Sequence, residues 1–261
     1  MEKDQIQTLG DVLSGYHDPR MVNLIMRDRA TRAVEGVVHD AAVLFVDLRR
    51  FNDVCEKVEP QVVAAILNEV QSYVMELIHR YEGVVDKLMG DCTMAYWINE
   101  EEEPEEDTPL DRLKKGVYDR RAEKCIRGAL RAAHAIVRGA DKLEKKLVAL
   151  CGYTVEFGIG IHYGPVYVGN IGTVVRKDYT VVGNTVNIAA KLTNMAPAGQ
   201  IYLTETAMAR ITGEFSFITV MNEGDDEWKT IFTRGGVQGI YALVQKAKHV
   251  DAADAVRAAE E

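Results

Sequence analysis

The sequence predicts an α+β fold: a ferredoxin-like βαββαβ core, extended by a C-terminal β-hairpin, with helices mainly on one face of an antiparallel sheet. Three observations predict it. Ala41–Val46 is an unbroken apolar run, the pattern of a strand buried on both faces. The stretch 83–97, GVVDKLMGDCTMAYW, reads as two short strands, Val84–Leu88 and Cys92–Trp97, about a tight turn at Met89-Gly90. Two long stretches with apolar residues at helical spacing flank this hairpin.

In chain order, residues 1–38 are polar with helical stretches. Asp18-Pro19 is a helix start with Pro19 at the first helical position, and Met21, Val22, Leu24 and Ile25 give that helix an apolar face. This segment reads as a helical collar or linker to an upstream sensor, with a plain N-terminal cap as the alternative. The run Ala41–Val46 ends in Asp47, and Leu48-Arg49-Arg50-Phe51-Asn52 forms a loop before the next helix. Val63, Ile66, Leu67, Val70, Val74, Leu77, Ile78 and Tyr81 make one core-facing stripe, and His79 reads as a surface or capping residue. In the hairpin that follows, Gly90 supplies the backbone freedom of the turn.

Residues 99–110 are acidic with two prolines, a solvated loop. A second helix pattern, roughly 118–149, carries Ala122, Ile126, Ala129, Leu130, Ala133, Ile136 and Val137, with an interruption expected near Gly139. Thr154–His162 is the next strand, Gly164-Pro165 is read as turning it into Val166–Val168, and Gly169 to Lys177 as a loop. Asp178–Val182 reads as a strand, Thr185–Thr193 as a helix and Ile201–Thr204 as a short strand. Phe215–Val220 and Gly239–Val244 form a last antiparallel pair. The main domain is therefore placed at 39–245, with a frayed or disordered tail at 246–261.

The chain has 261 residues, 47% hydrophobic and 27% charged, which is ordinary globular composition. A net charge of −9 and a pI near 5.3 argue against a general nucleic-acid binder, so no nucleic-acid partner is expected. A polyphosphate ligand would need a locally positive pocket. Cys55, Cys92, Cys125 and Cys151 are scattered without a C-x-x-C pair and read as reduced thiols in a cytoplasmic protein. No apolar run reaches the roughly 18 residues of a membrane span, and the N-terminus does not read as a signal peptide.

Three stretches carry the chemistry. Asp47 closes a buried strand and Asp91 opens a hairpin arm. Those strands are neighbours in a βαββαβ sheet, so the carboxylates are expected to meet at one edge. With a backbone carbonyl, that of Leu48, they suit Mg²⁺ or Mn²⁺ held jointly with substrate phosphates. A helix-capping role is the rival reading for Asp47. The loop to Phe51 and Asn52 opens a helix whose N–H groups suit phosphate oxygens, and Arg49 and Arg50 add positive charge or form a solvated basic pair. Lys87, four residues before Asp91, suits a polar ligand, or a local surface ion pair. In Asp178 to Leu192, DYTVVGNTVNIAAKL, Thr180 lies in a strand, and Asn187 and Lys191 share a helix face. Asn187 suits a ribose and Lys191 a phosphate in transfer; an exposed lysine at a helix start is the plain alternative.

Five ordered segments resemble one family: AAVLFVDLRRF (41–51), VVDKLMGDCTMAYW (84–97), FGIGIHYGPVYVGNIGT (157–173), RKDYTVVGNTVNIAAKL (176–192) and GQIYLTETAMARI (199–211). Over about residues 15–245 the chain resembles the catalytic domain of class III nucleotide cyclases, the adenylyl and guanylyl cyclase family. HDPRMVNLIM at 17–26 also looks like the short helix that often precedes this domain behind a sensor or membrane region. The resemblance implies that Asp47 and Asp91 bind two Mg²⁺ or Mn²⁺ ions per active site, and that Lys87 and Thr180 read the base. A Lys with Thr resembles the adenine-reading subset; the guanine-reading Glu and Cys are both missing. It implies ATP as substrate, cyclised by in-line attack of the ribose 3′-hydroxyl, with Asn187 orienting the ribose. Lys191 stands where the family usually has a transition-state Arg, and Asn184 where Asp is frequent. The triphosphate-binding Lys has no clear counterpart, Arg234 and Lys229 being nearest. The resemblance also implies a head-to-tail homodimer, each site taking Asp47 and Asp91 from one subunit and Lys87, Thr180, Asn187 and Lys191 from the other. The alternatives are a weakly active or inactive cyclase-like nucleotide-binding regulatory module, or a cyclase using GTP or a pyrimidine triphosphate.

Overall fold

Strand β1 (Val37–Leu48) lies inside the sheet with a strand on each edge, and its inner residues are apolar on both faces. The computed structural model describes residues 17–23, 36–98, 117–152, 154–211, 215–222 and 239–244. After β1 come α1 (Phe51–Cys55), α2 (Pro60–Arg80), β2 (Val84–Met89), β3 (Cys92–Ile98) and α3 (Val117–Cys151). They are followed by β4 (Phe157–Gly172), β5 (Lys177–Val182), α4 (Asn184–Met195), β6 (Ile201–Thr204), α5 (Glu205–Met208), β7 (Phe217–Asn222) and β8 (Gly239–Leu243). The strand order is β2-β3-β1-β4-β6-β8-β7, with β5 paired to β4. Among the described residues only the β4–β6 pair is parallel. The first four strands, with α2 and α3 as crossovers, are the expected βαββαβ core, and β7–β8 is the added hairpin.

Strand alternation sorts the core into two layers. Ala42, Leu44, Val46 and Leu48 face α2 and α3, in one cluster with Ile66, Val70, Ile126, Ala133 and Ile136. Ala41, Val43 and Phe45 face the other way, toward Met21, Val166, Val168, Val181 and Ala189 of α4. The helices therefore lie mainly on one face, with α4 and the N-terminal turn on the other.

Three sequence expectations are corrected. The Gly164-Pro165 pair makes no turn: β4 runs unbroken through it for 16 residues. Its far edge has no strand partner between Ile161, the last β6 pair, and Tyr167, the first β5 pair. A residue lacking an N–H is tolerated on such an edge. The loop expected over 169–177 shrinks accordingly to 173–176. Helix α3 is not interrupted at Gly139. Glycine is needed there because a Cβ would collide with the Tyr73 hydroxyl, which donates to Ile136 O at 2.8 Å.

Within the expected collar, residues 19–23 are helical and dock on the domain. The buried Asp18 carboxylate accepts from Val85 N–H at 2.7 Å and meets His79 Nε2 at 2.6 Å. Arg20 donates to Gly83 O and His79 O, each at 3.0 Å. His79, expected at the surface or in a cap, is thus a half-buried tie to the N-terminal segment. The acidic run 99–110 and the tail 246–261 lie outside the described residues. Among the described residues no helix is long and apolar enough to cross a membrane.

Candidate active site

The α4-facing side of the sheet gathers the chemistry. Alternation from Val43 and Phe45 puts Asp47 on that side, and the register Asp47↔Cys92 sets it beside Asp91 at the hairpin exit. The Gly90 turn between β2 and β3 uses φ 65°, so glycine is favoured there. The two acids sense each other. Burial raises the Asp47 pKa, Arg49 opposes that, and the Asp91 charge adds to it. The neighbouring Cys92 thiol is pushed up to about 12, by burial first and then by Asp47 and Asp91. An all-oxygen pair that is partly desolvated and mutually repelling is a donor set that a hard divalent cation relieves. Among the described residues no group of three or more His, Cys, Asp or Glu side chains gathers. A cation here would therefore have only two side-chain carboxylates and would complete its shell from backbone and substrate oxygens. Leu48 lies one residue past the last β1–β3 pair while still paired to Phe157 of β4, so its hairpin-side edge has no strand partner.

The adjoining loop departs from expectation. Arg49 is largely buried: it pairs with Asp47 at 3.4 Å and donates to the Thr193 carbonyl of α4. Any side chain at Gly158 would collide with it. Arg49 is thus a strut between Asp47 and α4 rather than a solvated cation. Arg50 is the solvated one. It takes a left-handed φ of 59° before α1 and pairs with Asp53 at 3.0 Å. Phe51 buries its side chain with Val54 in the core, so only its backbone is placed to meet a ligand. Asn52 is exposed in the first turn of α1, which has no side-chain cap.

Lys87 and Thr180, 93 positions apart, meet within one chain: Lys87 Nζ donates to Thr180 Oγ1 at 2.8 Å. Asp86, unremarked in the sequence, joins them. Its carboxylate has no exposed surface, pairs with Lys87 at 2.9 Å and accepts from Thr180 Oγ1 at 2.8 Å. A β-bulge falls between Val85 and Lys87, and no sequence signal marked it. Asn187 and Lys191 stand one turn apart on the exposed side of α4, whose other side buries Ile188, Ala189 and Leu192. Asn184, at the first residue of α4, is exposed as well. Arg234 and Lys229 lie outside the described residues. The fold thus brings the sequence candidates into two clusters, Asp47 with Asp91 and Lys87 with Thr180, beside an exposed polar stripe on α4.

Residues 35–243 match the sequence profile of the adenylate and guanylate cyclase catalytic domain. The chain belongs to this family. Among curated proteins, an adenylate cyclase of Anabaena cylindrica is 27% identical over 221 residues, covering 78% of the chain and 39% of that protein. The chain thus spans less than half the length of the curated relatives it matches first. The fold of this cyclase domain is shared with the adenylyl cyclase CyaB of P. aeruginosa, at a TM-score of 0.66 and 23% identity, over 83% of the chain and all of that structure. The guanylyl cyclase Cya2 also shares it, at a TM-score of 0.62 and 21% identity, over 83% of the chain and 98% of that structure.

Proposed function

We propose that the chain is an adenylate cyclase, converting ATP to 3′,5′-cyclic AMP and pyrophosphate. The observation that carries this is the Lys87–Thr180 contact at 2.8 Å, a donor and a hydroxyl held together on one side of the sheet. Lys87 donates to the unprotonated N1 of adenine; guanine carries a hydrogen there and would oppose the ammonium. Asp47 and Asp91, with the Leu48 carbonyl, hold Mg²⁺ or Mn²⁺, two ions per site. When bound, these ions lower the pKa of the ribose 3′-hydroxyl and neutralise the triphosphate. The backbone at Phe51 and Asn52 receives phosphate oxygens. Asn187 orients the ribose so that its 3′-oxygen lines up with the α-phosphorus. Lys191 balances the negative charge that builds on that phosphoryl group, as a point charge rather than the fork an Arg would offer. Arg234 is assigned to the triphosphate tail.

The working unit in this reading is a head-to-tail homodimer. Asp47 and Asp91 of one subunit face Lys87, Thr180, Asn187 and Lys191 of the other. Support comes from apolar side chains left in solvent at two tips: Val174 and Val175, 97% and 92% exposed between β4 and β5, and Leu88 and Met89 beside the β2–β3 turn. We assign 39–245 to the catalytic domain, 1–38 to a collar after an upstream sensor or membrane region, and 246–261 to a tail, all on the cytoplasmic side.

Turnover of ATP, GTP, CTP and UTP, each with Mg²⁺ or Mn²⁺ over a range of protein concentration, tests the reading. Cyclic AMP as the main product, with turnover per chain rising with concentration, is expected. Cyclic GMP as the main product would overturn the base assignment. Binding of ATP without any cyclic product would favour a regulatory module, which Lys191 in place of Arg makes the leading rival.

A further inference from the structure

We infer that Asp86 sets the base preference of the Lys87–Thr180 pair, by fixing the Thr180 hydroxyl as a hydrogen-bond acceptor toward the nucleobase. The inference rests on the adenylate cyclase reading and deepens it.

Successive residues of a regular strand point to opposite faces. At Asp86 and Lys87 they do not, because the β2–β3 register shifts between Val85 and Lys87. Val85 opposes Ala95 and Lys87 opposes Met94, so Asp86 is the extra residue. This lets both side chains reach the same threonine on β5. The Asp86 carboxylate then spans two residues of that strand, taking Thr180 Oγ1 at 2.8 Å and Val181 N–H at 3.2 Å.

A hydroxyl has one hydrogen to give and two lone pairs to offer. A bare threonine can therefore read either purine: it donates to O6 of guanine or accepts from the exocyclic amine of adenine. Here that freedom is removed. A carboxylate only accepts, so the Thr180 hydrogen goes to Asp86; the alternative acceptor, the Val181 carbonyl, is farther off at 3.5 Å. One lone pair receives the Lys87 ammonium. One lone pair is left. What the pair presents to a base is one ammonium donor and one hydroxyl acceptor. That matches N1 and the amine of adenine, and sets two oxygen lone pairs against each other for guanine.

Asp86 is thus a positioning residue, and the substitution Asp86→Asn isolates its effect. The amide keeps the shape and an acceptor for Val181 N–H, but it can present an NH₂ to Thr180 and release the hydroxyl hydrogen toward the base. The experiment measures kcat/KM for ATP and for GTP with saturating Mn²⁺ in the wild type, Asp86→Asn and Thr180→Val. We expect the ATP-to-GTP ratio to fall at least about tenfold in Asp86→Asn, and Thr180→Val to lose ATP turnover without gaining GTP turnover. An equal loss for both nucleotides, or an unchanged ratio, overturns the inference while leaving the adenylate cyclase reading intact. A wild-type preference for GTP removes both. If Asp86→Asn shows no cooperative melt, wild-type turnover of purine riboside 5′-triphosphate, which lacks the exocyclic amine, decides instead. A value well below that for ATP supports the acceptor, and equal values refute it.

Discussion

Gly160→Ala is the substitution that most directly couples the fold to the chemistry. Gly160 lies on the α4-facing side of β4, in an alternating run with Gly158, His162 and Gly164. A Cβ there would stand 2.5 Å from Thr193 Oγ1, and closer still to the Thr193 nitrogen and the Ala189 carbonyl oxygen. Carbon contacts settle near 3.5–4.0 Å, so about 1 Å must be found. Backbone atoms of a helix cannot rotate aside, so α4 itself has to lift. Lifting it strains the Thr193 Oγ1 bond to Phe45 O, now 3.3 Å, and the Arg49 bond to Thr193 O. Overpacking of this kind costs about 1–3 kcal/mol, or roughly 2–12 °C in Tm for a domain of this size. The same shift moves Asn187 and Lys191 by about 1 Å, enough for a loss on the order of 10²-fold in turnover. Thermal melts and steady-state kinetics are the assays. We expect kcat to fall further than KM rises, because both side chains are assigned to the transition state. An alanine variant with wild-type Tm and kcat would refute it.

Asp47→Ala should abolish Mn²⁺-dependent turnover while the melting transition survives; undiminished turnover would reject the metal assignment. Mixing Asp47→Ala with Asn187→Ala protein should restore about one good site per heterodimer, and a mixture that stays dead although heterodimers form would sink the shared-site proposal. Lys191→Arg should raise kcat with little change in KM, since the guanidinium fork engages phosphate oxygens bidentately; a fall in kcat would count against that role. His162, bonded to Thr204 at 2.7 Å, has its pKa lowered to about 4 by burial and by Arg210. Its neutral form is favoured by the fold, so stability is full above the ordinary pKa of 6.5 and drops by about 3 kcal/mol as pH falls to 4. Urea midpoints of His162→Gln should lose much of that pH dependence, and a slope equal to wild type would exclude the assignment.

What was legible in the sequence was local. Asp47, Asp91, Asn187 and Lys191 sit in short segments whose strand or helix patterns are unambiguous, and the structure keeps those patterns. What was not legible depended on partners far along the chain. Gly164-Pro165 has the composition of a turn, but a gap between two strand pairings lets it stay extended. Gly139 has the composition of a helix break, but it is there to clear Tyr73, 66 positions earlier. Arg49 looked like a surface cation because nothing nearby in sequence announces the Gly158 hollow and the Thr193 carbonyl that receive it.

The same distinction applies to Asp86. An acid beside a lysine in a strand reads as two groups on opposite faces, hence as unrelated. Only the bulge, a property of how β2 pairs with β3, turns the pair toward one hydroxyl. Because Val181 N–H is bonded to the same carboxylate, Asp86 joins Lys87 in tying the position of β5 to that of β2. Gly83 and Val85, just before Asp86, are in turn held by Arg20 and Asp18. A pull on the N-terminal turn is therefore expected to reach, along β2, the residue inferred to orient Thr180. If the proposed base reading is right, it shares that strand with the N-terminal turn, and Asp18→Ala, which removes the Val85 contact, should lower the ATP-to-GTP ratio of kcat/KM; an unchanged ratio would exclude the link.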